Sequence, residues 1–100
     1  MRLHDNILAE LLENYLKDAQ QRVENIRDAI VSEDAATLHI TAHSLRSISG
    51  SVGAMKLATL CQQLEAIGRD GTTVGTSTLS SQLKAEYERV KTSLSVISDQ

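Results

Sequence analysis

Leu38-His39-Ile40-Thr41-Ala42-His43-Ser44-Leu45-Arg46-Ser47-Ile48-Ser49-Gly50-Ser51-Val52 is the stretch that decides the fold, because its apolar and polar residues separate at helical spacing. Leu38, Thr41, Ala42, Leu45, Ile48, Ser49 and Val52 recur every three or four residues, which is the stripe of one buried helix face. With a turn of about 100° per residue, His43 points roughly 160° from the centre of that stripe, into solvent. His39 and Ser47 stand one turn to either side of it, with Ala36, Ile40, Arg46 and Gly50 around them. The histidine is therefore expected in a small patch that is partly apolar, partly cationic and open to water.

The same period continues in both directions. Upstream, Leu8, Leu12, Tyr15, Leu16, Ala19, Val23, Ile26 and Ile30 line one face of a long helix from about Asp5 to Val31. Ile7 and Leu11 fall off that face, so the first turns form either a separate short helix or a cover for the end of the fold. Ser32-Glu33-Asp34 breaks the pattern, and Asp34 is a good N-cap for the helix that carries His43. That helix should fade among Ser49, Gly50, Ser51 and Gly53, small residues that allow a close turn.

A third helix is predicted over Ala54 to Arg69, burying Leu57, Leu60, Cys61, Leu64, Ile67 and Gly68 and stopping at Asp70-Gly71. Thr72 to Thr78 is loop chemistry, and a fourth helix then turns Leu79, Leu83, Tyr87, Val90, Leu94 and Ile97 inward. Four amphipathic helices with short connections predict an all-α protein, an antiparallel up-down four-helix bundle.

Composition narrows the class further. At 100 residues the chain is one domain, 1–100, and with only two aromatic residues its core must be built from Leu, Ile, Val and Ala. Absence of proline agrees with long uninterrupted helices. A net charge of −3 argues against nucleic acid or an anionic membrane as the main partner, since both call for a positive surface. The lone cysteine, Cys61, excludes an internal disulfide framework and reads as a small buried hydrophobe in a reducing compartment. Without an apolar leader or a run of about 20 apolar residues, the expected location is the cytoplasm.

The string Ala-His-Ser-Leu-Arg-Ser-Ile-Ser-Gly-Ser-Val-Gly-Ala over 42–54, followed by a run containing Leu60-Cys61, Leu64-Glu65 and Gly68-Arg69, resembles the histidine-containing phosphotransfer domains of phosphorelays. The resemblance covers Asp34 to Arg69, and the flanking helices match it only as amphipathic patterns. Ser47 stands where the family usually has glycine, and Ile48 where it has a small residue. The family implies that His43 accepts a phosphoryl group from the aspartate of one response-regulator receiver domain and passes it to another. It also implies phosphoryl-stabilising roles for Arg46 and Arg69, an imidazole-orienting role for Glu65, and no ATP site. No cofactor is expected on this chain, and any Mg2+ would belong to the receiver. The receiver partners, in this reading, dock over Ala36, His39, Ile40, Ser47 and Gly50, whether the domain is free-standing or part of a hybrid sensor kinase.

The residues themselves make that chemistry sensible. A free imidazole titrates near 6.5, so at pH 7 a ring nitrogen is mostly available to attack phosphorus without an activating triad. Phosphoryl transfer depends on in-line positioning and on cations near the equatorial oxygens. His39 and His43 also have the i, i+4 spacing of a metal-chelating pair, but no third ligand accompanies them, and no metal site is expected. Serine-nucleophile, P-loop and dinucleotide signatures are absent. A second reading stays open, a non-catalytic helical module that docks a receiver or another signalling protein.

Overall fold

The computed structural model describes the backbone of residues 3–98 and the side chains of 7–97. Four helices follow one another: α1 over Leu3–Val31, α2 over Ala35–Ser51, α3 over Met55–Arg69 and α4 over Ser77–Ser98. Each boundary has a local cause. At the end of α1 the amide of Asp34 bonds to the Ala29 carbonyl at 2.8 Å and that of Glu33 to Ile30 at 3.2 Å, a Schellman closure. Its left-handed position is taken by Glu33, at φ 56°, where glycine is the usual occupant.

Asp34 then starts α2: its carboxylate accepts from the Thr37 hydroxyl at 2.6 Å and from the Thr37 amide at 3.1 Å. The hydroxyl bond and then the amide bond hold the Asp34 carboxyl below the usual range. At the other end of α2 the same closure recurs with Gly53 at φ 80°, the Ala54 amide bonding to Ser49 at 2.9 Å and the Gly53 amide to Gly50 at 3.1 Å.

Packing follows the chain order as a ring: α1 on α2, α2 on α3, α3 on α4, and α4 back on α1. With short connections throughout, this is the antiparallel up-down arrangement. Leu38, Ala42 and Leu45 from α2, Leu57, Cys61 and Leu64 from α3, Leu83, Tyr87 and Val90 from α4, and Tyr15, Ala19 and Ile26 from α1 make one core. The two tyrosines bring polar tips into it and both are satisfied. Tyr15 Oη pairs with Ser49 Oγ at 2.9 Å, and Tyr87 Oη donates to the Leu16 carbonyl at 2.9 Å. Burial of Cys61 pushes its thiol pKa up to about 12, which keeps it an inert packing group.

Three details decide an alternative the sequence left open or differ from its expectation. Among the described residues there is no separate N-terminal helix, because α1 is continuous from Leu3. Leu8 and Ile97, expected inward, are exposed, as are Ile7, Leu11 and Val96. The reason is length: α1 has 29 residues and α4 has 22, whereas α2 has 17 and α3 has 15. At about 1.5 Å per residue the first and last helices outrun the central hairpin and lose its cover at their free ends. Thirdly, α4 begins at Ser77, two residues before Leu79, led by buried Thr76, whose hydroxyl donates to the Thr73 carbonyl at 2.6 Å. No described helix is long and apolar enough to cross a membrane.

Candidate functional site

A close approach of α2 and α3 sets the site. A methyl group built on Gly68 of α3 would lie 2.7 Å from the His39 amide nitrogen and 2.9 Å from the Ala35 carbonyl oxygen of α2. Only glycine lets the two backbones come this near. Since α2 and α3 run antiparallel, the contact at Gly68 brings Glu65 opposite His39 and His43. His39 Nδ1 lies 3.3 Å from the Glu65 main-chain carbonyl, and because a carbonyl only accepts, the ring nitrogen is the donor.

Glu65 is the buried member of a charged cluster. Its side chain is 4% exposed, against 59% for His43, 37% for Arg46 and 63% for Arg69. Oε2 accepts from His43 Nδ1 at 2.9 Å and from Arg69 Nη2 at 3.3 Å. Arg46 Nε lies 3.0 Å from Oε1, but the oxygen takes no hydrogen bond, so this pair is a charge contact without bonding alignment. Burial pushes the Glu65 carboxyl up; the His43 hydrogen bond and the nearby Arg46 and Arg69 charges pull harder and hold it below the usual range. The carboxylate is ionised at neutral pH.

An ionised carboxylate fixes the imidazole. Arg46 Nη2 also comes within 3.2 Å of His43 Nδ1, but one ring nitrogen cannot serve a guanidinium donor and a carboxylate acceptor together. The carboxylate is nearer and accepts only, so Nδ1 carries the proton and the guanidinium is merely close. The lone pair is left on Nε2, which has no hydrogen-bond partner among the described residues, on a ring that is mostly open to water. An unprotonated ring nitrogen with two guanidinium groups nearby is able to attack an electrophile whose oxygens gather negative charge.

The residues named from the sequence as a docking surface all lie on α2. Ala36, Ser47 and Gly50 are exposed, Ile40 is 67% exposed, and His39 is half-buried against α3. Ile48, one of the two departures from the family pattern, is half-buried against the core and so does not crowd the ring. Sequence reasoning missed two features. The burial of Gly68 is expected from the sequence, but not the close backbone approach it allows, although a glycine in the middle of a buried stripe is a signal for one. The bond from Arg22 Nε of α1 to Ser44 Oγ, at 2.7 Å, had none, because the residues meet only through tertiary packing.

Comparison with known proteins gives the family and the fold. The sequence matches the Hpt domain over residues 10–93, and the chain belongs to that family. Histidine-containing phosphotransfer protein B (HptB) from Pseudomonas aeruginosa PAO1 superposes with a TM-score of 0.86 at 28% identity, covering 91% of this chain and 79% of that one. The HPT domain of a sensor hybrid histidine kinase from Shewanella gives a TM-score of 0.79 at 26% identity, covering 92% and 80%. No curated protein matches the sequence.

Proposed function

We propose that this chain is a phosphorelay intermediate whose phosphoryl-carrying atom is Nε2 of His43. Membership of the Hpt family gives the class, histidine phosphotransfer in two-component signalling. The observation that carries the residue assignment is the 2.9 Å contact from His43 Nδ1 to buried Glu65, which leaves Nε2 unprotonated and exposed. The Nε2 lone pair attacks the phosphorus of an aspartyl phosphate on a receiver domain. The N–P bond forms, the bond from phosphorus to the aspartyl oxygen breaks, and the aspartate leaves as a carboxylate. The proton on Nδ1 stays where it is, held against Glu65, which offsets the positive charge gained by the ring. Transfer to a second receiver is the same step reversed.

Arg46 and Arg69 supply positive charge at the rim of the reacting phosphoryl group, and Mg2+ is assigned to the receiver. Ala36, His39, Ile40, Ser47 and Gly50 form the surface on which the receiver settles and from which water is excluded. The chain acts as one domain, 1–100, with no kinase activity of its own, in the cytoplasm where receivers work. Incubation with a radiolabelled phospho-receiver tests this directly. Acid-labile, base-stable label moving onto the chain is the expected result, and stable binding with no label would leave only a docking module.

A further inference from the structure

Two of the arginines around His43 are already engaged with an acid. Arg46 and Arg69 share the Glu65 carboxylate, while on another face Arg89 and Lys56 share Glu86. Arg22 of α1 is held differently. Its Nε donates to Ser44 Oγ at 2.7 Å and its Nη1 to the Asp18 main-chain carbonyl at 3.1 Å, both neutral acceptors. Among the described residues no carboxylate forms an ion pair with it. The side chain is half-buried, fixed at two points by neutral acceptors, and in no ion pair among the described residues.

Position gives this a use. Ser44 follows His43 directly, and its neighbours one turn away on α2 are Ile40 and Ser47. Arginines thus border the histidine face from three helices, Arg22 on α1, Arg46 on α2 and Arg69 on α3, in a chain whose net charge is −3. A guanidinium already ordered by its own protein loses little further freedom on binding, and it is weakly hydrated compared with an ammonium. Such a group suits a carboxylate arriving on a partner.

Building on the phosphorelay reading, we propose that Arg22 is a partner-selecting contact. It receives a carboxylate at the rim of the receiver face that covers Ile40, His43 and Ser47, and it acts on association rather than on the chemical step. Rim charges of this kind govern on-rate and its salt dependence.

The test compares wild type with Arg22→Gln, whose amide can still bond to Ser44 but carries no charge. Transfer from a phospho-receiver is followed against receiver concentration at low and high salt. At low salt the half-saturating concentration should rise roughly fivefold, the upper range for a solvent-edged ion pair. The plateau rate should hold, and the gap should close at high salt, where the charge is screened. Arg22→Lys, which keeps the charge, should retain the wild-type salt dependence. An unchanged half-saturating concentration in Arg22→Gln, a fall in its plateau rate alone, or lost salt dependence in Arg22→Lys would overturn the proposal. Wild type that takes no phosphoryl group from any receiver would instead remove the phosphorelay reading, before any variant is compared.

Discussion

Nδ1 of His43 and Oε2 of Glu65 stand 2.9 Å apart across the seam between α2 and α3, and this contact gives the imidazole two unlike sides. One nitrogen is tied to a buried carboxylate and the other faces water. The seam is narrow enough for this because Gly68, one turn beyond Glu65, has no side chain to hold the helices apart.

Replacing Glu65 by Gln should slow phosphoryl transfer by roughly tenfold, the worth of one hydrogen bond to a charged group. An amide can donate as well as accept, so Nδ1 is no longer obliged to carry the proton. Nitrogen-15 shifts of the His43 ring should move from a single tautomer towards a mixture. The loss of stability at pH 7 should be small, on the order of 1 kcal/mol, because the freed arginines are partly exposed and rehydrate.

The same variant carries a pH signature. The Glu65 carboxyl is held below its ordinary range in the folded chain, by the His43 bond and the two arginines acting against burial. Its contribution to stability is therefore complete above the unfolded-state pKa of about 4.3 and is lost as pH falls through the lower folded value. Urea unfolding between pH 6 and pH 2, at ~pH 4 above all, should show a steeper decline in wild type than in Glu65→Gln. Parallel declines would show that the carboxylate is not held in this way.

Gly68→Ala should destabilise the fold by about 1–3 kcal/mol, since the new methyl group meets backbone atoms of His39 and Ala35 that can yield only by moving α2. Transfer by the remaining folded protein should also fall, because the same movement lengthens the contact between His43 and Glu65. Gly50→Ala is the matched control. Its methyl group meets nothing within 4 Å, and in the helix it should stabilise by up to about 1 kcal/mol. Equal melting temperatures for the two variants would contradict the close approach at Gly68.

Ile40→Glu should leave the stability within about 0.5 kcal/mol of wild type, because the side chain is 67% exposed and no core depends on it. Receiver binding should weaken, as measured by calorimetry. Unaltered binding would take Ile40 out of the docking surface.

How far these features could be read from the sequence depends on whether their cause was local. The outward direction of His43, the Asp34 cap, the break near Gly53 and the buried run Leu57, Cys61 and Leu64 follow from helical period and from the chemistry of single residues, and all are present. Arg46 lies beside the ring by helical spacing, whereas Glu65 and Arg69 come near it only through the family resemblance. Their shared carboxylate, with an Oε1 that accepts no hydrogen bond, depends on side-chain geometry across two helices. Leu8 and Ile97 keep the period of a buried face but lie where α1 and α4 outrun their neighbours, and relative helix length is not written in a periodicity. Glu33 in a left-handed turn was equally hidden, because an acidic residue does not announce that conformation.

The most direct test of the central claim is to locate the phosphoryl group. Wild type and His43→Gln are incubated with the same phospho-receiver, and the bound label is mapped by mass spectrometry under alkaline conditions that preserve phosphohistidine. The account predicts phosphate on His43 in wild type and none on the variant, with both showing the same helical circular dichroism spectrum. Label appearing on His43→Gln at the wild-type rate, or on His39 in wild type, would contradict it.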